Sequence, residues 1–202
     1  MFVALYPQNP EFKSIAAYLN FSTDISTADT GHEQAVSHGG APAHITTTYN
    51  SISYAEAIKL RGFLAAHKGR AKSFDLILPV ESQTYGDITG STPRASALTP
   101  MGSNTLAVKD LSPNKLVRYS GEWLQVAGHS KAYMLTSDLV SDGAGNATAT
   151  FEPSLYEQAL LNEQITIDEI VFHVRAKTDM SKMNLKPGQN YTFKIDFVEV
   201  IR

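Results

Sequence analysis

The sequence contains no cysteine. That absence excludes a disulfide scaffold, a cysteine-ligated zinc or iron–sulfur centre and a thiol nucleophile. It has no excess of positive charge either: 17 basic side chains stand against 20 acidic ones, a net of −3, so there is no general attraction to nucleic acid. No apolar run approaches the ~18 residues of a membrane helix. Residues 1–12 lack a basic n-region and are broken by Pro7 and Pro10, so no signal peptide is read there. Internal repeats, low-complexity tracts and phosphate-binding glycine loops are also missing. What is present is a chain of 202 residues, 43% of them apolar. That is enough for a core in one ordinary domain or two small ones, and a soluble globular protein is the expectation.

Charge is unevenly placed. Residues 1–52 carry Glu11, Asp24, Asp29 and Glu33 against Lys13 alone, while residues 53–79 carry Lys59, Arg61, Lys68, Arg70 and Lys72 against Glu56 and Asp75. A helix is predicted within the basic stretch, over 54–67. Ser53 and Glu56 form an S-x-x-E capping box, Ala57, Ile58, Leu60 and Leu64 give an apolar stripe, and Gly69 sits where a left-handed residue ends a helix. The basic patch then has two readings: cations at a helix C-terminus, which the macrodipole favours, or a docking surface for an acidic partner.

Most other segments read as strands. In 43–53, Ile45, Thr47 and Tyr49 alternate with His44, Thr46 and Thr48; in 73–79, Phe74, Leu76 and Leu78 alternate with Asp75 and Ile77. In 190–202, Tyr191, Phe193, Ile195 and Phe197 share one face. Period-2 alternation with one buried face is the mark of an antiparallel sheet. A further strand is expected over 170–174. Between Pro79 and Pro153 the segments are short (105–108, 115–119, 123–126, 131–136 and 147–151) and separated by turn residues such as Asp142-Gly-Ala-Gly-Asn146. Such spacing predicts a small barrel or sandwich inserted into a host domain.

Candidate chemistry is sparse. Gly128-His-Ser-Lys-Ala132 comes near the G-x-S-x-G nucleophile elbow, and His38-Gly39-Gly40 resembles an oxyanion loop. The elbow needs a helix after its serine, whereas 131–136 reads as a strand, and Ala132 replaces the second glycine. A hairpin turn is therefore expected at Ser130, not a nucleophile. His32, His38 and His44 are six residues apart and His67, His129 and His173 are scattered, without metal-ligand spacing. Asp138, Asp142 and Asn146 lack the D-x-D-x-D-G calcium pattern and read as turn formers. Asp168-Glu169 reads as a solvated loop pair, and the sequons at Asn20, Asn146 and Asn190 carry little without a secretory signal. Trp123, Tyr119 and Tyr133 lie on neighbouring predicted strands. They read either as an aromatic platform for a sugar or base, or as barrel core. No enzyme, metal or cofactor is expected.

One ordered set of features resembles a known family. Thr30-Gly-His-Glu-Gln-Ala-Val-Ser-His-Gly-Gly40 precedes the Thr-rich strand and the Ser53–Glu56 helix start. Arg61-Gly-Phe-Leu64, Lys68-Gly-Arg70 and the strand from Phe74 to Pro79 follow. This run is similar to the N-terminal domain of distal tail proteins of long-tailed bacteriophages. Leu116 to Val126, Lys131-Ala-Tyr-Met-Leu135 and the exit Phe151-Glu-Pro-Ser-Leu155 resemble the small barrel inserted in some members. The likeness covers roughly residues 30–155; residues 1–29 fall outside it. It implies a mainly β fold: a tail-tube-like β-sandwich flanked by one α-helix (1–79 plus 156–202) with an inserted OB-like barrel (80–155). It implies no catalysis, but a ring of six copies joining tail tube to tail tip in the virion, assembled in the host cytoplasm. The partners implied are its own copies, the tail tube protein, the baseplate hub and fibre or collar proteins. DNA would pass the lumen without specific binding, with the acidic first 52 residues as candidate wall, and no membrane is involved. The alternatives are a tail-tube or tail-completion subunit, for which the inserted barrel is unusual, a carbohydrate-binding module built on Trp123, Tyr119 and Tyr133, and a hydrolase built on Ser130.

Overall fold

The computed structural model describes residues 4–178 and 190–201; Arg202 and the first three residues, which the expectations above include, lie outside that range. In chain order the elements are β1 (Ser14–Leu19), β2 (Ser22–Thr27), β3 (Glu33–His38), β4 (Ala43–Ile52), α1 (Tyr54–Ala66), β5 (Phe74–Ile77), β6 (Arg94–Ala95), β7 (Thr105–Lys109) and β8 (Leu116–Arg118). They continue with β9 (Trp123–Val126), β10 (Ala132–Leu135), β11 (Leu139–Val140), β12 (Ala147–Glu152), β13 (Ile165–Thr166), β14 (Val171–Ala176) and β15 (Tyr191–Glu199). The protein is mainly β with one helix, as expected, and its sheets are antiparallel.

A five-stranded sheet runs in the order β1-β4-β15-β14-β5. Its register puts Ile45 opposite Phe197 and Phe74 opposite Val174, so the pleat sends these apolar side chains to one face. There α1 buries Ala57, Leu60 and Leu64. Tyr6 sits at the centre of this core, edge-on to Phe63 and Phe197 and stacked on Phe74. Its phenol accepts a 2.9 Å hydrogen bond from Tyr49, which satisfies two hydroxyls that burial would otherwise penalise. The segment around Leu5 adds a parallel bridge to Asp75 on β5. At the far edge, β1 pairs with β4 and, among the described residues, has no second strand neighbour.

The helix begins at the expected capping box: Glu56 N–H donates to Ser53 Oγ and Ser53 N–H to Glu56 Oε2. It ends slightly early. His67 is the C-cap, and the left-handed step falls on Lys68 (φ 52°) as well as Gly69 (φ 60°). Lys68, Arg70 and Lys72 therefore lie beyond the helix, and its last turn holds no basic residue. Neutralising the helix dipole does not account for this basic patch.

The second body is a nearly closed six-stranded barrel, in the order β13-β9-β10-β12-β7-β6. A bridge between Arg94 and Gln164 brings the two ends together, with Ala95 N–H donating to Glu163 O and Ile165 N–H to Pro93 O. Leu106, Val108, Leu124, Tyr133, Leu135 and Phe151 fill it. The expected division gave the barrel 80–155; its sheet runs from Arg94 to Thr166, and Leu155, Ala159, Ile165 and Ile167 belong to its core.

The two bodies meet along β9 and β10. Leu124, Val126, Tyr133 and Leu135 point into the barrel, while Trp123 and Ala132 belong to the core beneath the five-stranded sheet. Both faces of these strands are thus largely buried; β10 reads as an unbroken apolar run for that reason, and Gln125 alone interrupts β9.

Candidate functional site

The most exposed element is a ribbon. After Leu19 pairs with Ala43 at the end of the sheet, β2 and β3 continue outward as a hairpin of six residue pairs, from Ser22–His38 to Thr27–Glu33. Thr, Ile and Val supply its strand propensity. Its loop is closed by Ala28 N–H to His32 O and Gly31 N–H to Ala28 O, both 2.8 Å, with Gly31 at φ +80°, a conformation open to glycine. Every residue from 21 to 37 is exposed, including Phe21, Ile25 (66%) and Val36. Six residues of extended chain reach ~20 Å. A two-stranded ribbon without a packed face is marginal by itself.

At the arm's root the outer face of the sheet carries charge. The pleat that points Ile45, Phe74, Val174 and Phe197 inward points His44, Arg175 and Val198 outward. Together with Lys68, Arg70 and Lys177 they line a cavity of about 470 Å³. Asp196 is the nearby acid: its carboxyl sits below the ordinary aspartate value, burial pushing the other way but outweighed by the Thr46 hydrogen bond and Lys194. The His44 imidazole is held below its ordinary value by burial and then by Lys177, which favours the neutral ring. The wall is therefore cationic through Lys68, Arg70, Arg175 and Lys177.

The residues singled out from sequence do not converge. Ser130 follows a turn in which His129 N–H bonds Val126 O and Gly128 has φ +84°; the strand β10 comes next, so no elbow forms. His32 sits in the arm's loop, His44 on the sheet and His129 against Tyr133; the His38 side chain lies outside the described structure. Among the described residues no three His, Asp or Glu side chains gather at metal-ligand spacing. The aromatic platform does not exist: Trp123 and Tyr133 are both fully buried on opposite faces of the β9–β10 pair, and only Tyr119 is exposed. Burial pushes the Tyr133 phenol up to about 12. Asp168 caps a loop by accepting Thr84 N–H at 3.1 Å.

Asp142 is a turn former, as the sequence indicates. Its Oδ1 accepts the N–H groups of Ala144 and Asn146, each at 2.8 Å, and bonds from Asn146 and then Ala144 hold its carboxyl below the ordinary aspartate value. The folded state favours the ionised form. The stabilisation is thus present above the unfolded value and lost as pH falls through the depressed one. In urea titrations from pH 5 to pH 2, wild type should lose its stability advantage over Asp142→Ala as pH falls; a constant difference would overturn this.

Three buried groups had no signal in the sequence. His173 places Nε2 2.8 Å from Ser73 Oγ and Nδ1 2.8 Å from Asp75 Oδ1, the distances of a Ser-His-acid triad. Asp75 and His173 border a cavity of about 480 Å³ with Gln125, His129 and Ser130. The same contacts tie β5 to β14, where His173 and Asp75 are direct cross-strand partners. Lys131 and Glu199, both buried, form an ion pair. Glu199 also accepts Ala132 N–H at 2.7 Å and Ala43 N–H at 2.8 Å. Arg118, fully buried, donates from Nη1 to Gln83 O at 2.8 Å, while Nε and Nη2 have no protein partner. These pairings join residues up to 156 positions apart, beyond the reach of any local pattern.

No protein-family model matches the chain, and no curated protein matches its sequence.

Proposed function

We propose that this chain is a structural subunit that assembles with copies of itself into a ring, in the role of a distal tail protein joining a phage tail tube to the tail tip. The observation that carries the reading is the arm: residues 21–37 are exposed throughout and present apolar side chains on both faces, Ile25 on one and Val36 on the other. A ribbon of that kind gains stability by lying on a neighbour. The one-sided edge strand β1 offers backbone groups to a neighbour in the same way. An arm on one side and a receiving surface on another make a head-to-tail contact, which closes into a ring when its rotation permits. The ordered resemblance over residues 30–155 supplies the biological setting. It carries with it the tube protein, the hub and fibre or collar proteins as neighbours, a lumen that DNA traverses unbound, and a place in the virion.

The test is solution mass by light scattering, with negative-stain images of the same peak. Wild type is expected near six times the 22.0 kDa chain mass, as rings with a central hole. A variant in which residues 21–41 are replaced by an Asn-Gly turn should stay folded by circular dichroism and run as a monomer. A wild type that is monomeric at every concentration, or an armless variant that assembles as wild type does, overturns the reading.

A further inference from the structure

The arm and the cavity at its root are electrostatic complements. Residues 20–42 carry Asp24, Asp29 and Glu33 and no Lys or Arg. Asp29 and Glu33 sit at the far end, in and beside the loop at 28–32. The cavity is lined by Lys68, Arg175 and Lys177, all exposed, with His44 at its floor on β4. Within one chain the tip of the arm does not reach the cavity. The arm leaves the sheet beside His44, and its extended strands hold Asp29 and Glu33 ~20 Å from that root, whichever way the arm points. The cavity's span is far smaller, at about 470 Å³.

We infer that the acidic tip of the arm on one copy seats on the Lys68–Arg175–Lys177 cavity of the next copy, which fixes the direction of the ring contact. The inference rests on the ring reading and adds the identity of the two surfaces. Opposed patches of this kind steer encounter and set register, and between exposed groups they weaken as salt shortens the screening length. One apolar face of the arm, that of Ile25 or that of Val36, then lies along the neighbour between the charged end and the root. The acids of the N-terminal region thereby have a task at the subunit contact.

Two double variants test it: Asp29→Lys with Glu33→Lys on the tip, and Arg175→Glu with Lys177→Glu in the cavity. All four positions are exposed, so circular dichroism and thermal melting should match wild type. By sedimentation velocity at low salt, each variant alone should self-associate about tenfold more weakly or worse. An equimolar mixture should recover assembly, because each reversed tip finds a reversed cavity. Wild-type assembly should also fall at about 1 M salt. If rings form but the reversals leave them intact, or the mixture recovers nothing, the tip does not meet the cavity while the ring reading stands. If the cavity variant still forms rings yet loses retention on heparin, the cavity serves a free polyanion and the inference is overturned. If wild type never assembles, the ring reading fails and this inference with it.

Discussion

Glu199→Ala is expected to lower the free energy of unfolding by about 3–5 kcal/mol, the cost of breaking a buried ion pair from one side. Glu199 holds three donors at once: the ammonium of Lys131, the amide of Ala132 and the amide of Ala43. Lys131 and Ala132 belong to the barrel side, Ala43 to the start of β4, so one carboxylate at the end of β15 joins barrel, sheet and arm root. Removing it leaves a cation and two amides in a place that water does not reach. Burial already drags the Lys131 ammonium below the ordinary lysine value, against the opposing pull of Glu199. The companion variant Lys131→Met with Glu199→Gln tests the cause. It removes the charge and keeps a carbonyl oxygen for one amide, so urea denaturation at pH 7 should show part of the loss recovered. A double variant as unstable as Glu199→Ala would mean that charge compensation is not what this site provides.

What the sequence made legible follows the range of the forces involved. The helix was readable to within a residue at its start, because a capping box is a contact between positions three apart. Strands β4, β5 and β15 were readable because one of their faces is buried and the other is not, and the alternation of Ile45, Thr47 and Tyr49 records that difference. The arm escaped. With both faces in solvent, β2 and β3 have no hydrophobic pattern to impose, and Ser-Thr-Asp-Ile-Ser-Thr is as plausible in a loop. Strand β1 escaped for a similar reason, its apolar side chains being only partly covered. Strands β6, β11 and β13 are two residues long, too short for any period to show.

The candidate site shows the same division. Net charge by segment marked the cationic stretch, but only strand pairing brings Arg175 and Lys177 to Lys68 across more than a hundred residues. The arm's acids and the cavity's cations are both visible in composition; that one is a projecting ribbon and the other a recess is a property of the register. The Ser73–His173–Asp75 set arises because His173 is the direct cross-strand partner of Asp75, a coincidence of pairing that no linear motif records.

Trp123→Ala is the second large effect, and it separates two readings of the same side chain. On a glycan platform, truncation would remove ligand binding and leave folding untouched. The observed Trp123 is fully buried beneath the five-stranded sheet, edge-on to Phe172 with ring centroids 5.2 Å apart, and its Nε1–H donates to Glu81 at 3.2 Å. Truncation therefore opens a cavity at the junction of the two bodies and orphans a carboxylate contact. The expected cost is about 3–5 kcal/mol, read by urea denaturation followed by circular dichroism, since this is the chain's single tryptophan. Trp123→Phe, which keeps an aromatic edge against Phe172, should cost clearly less. A loss under about 1 kcal/mol for the alanine variant would place the side chain outside the core. The consequence for assembly is specific. The barrel rides on the five-stranded sheet through Trp123 and Glu199, so a chain weakened at Trp123 should still present its arm and cavity, while the barrel loses its fixed orientation against them.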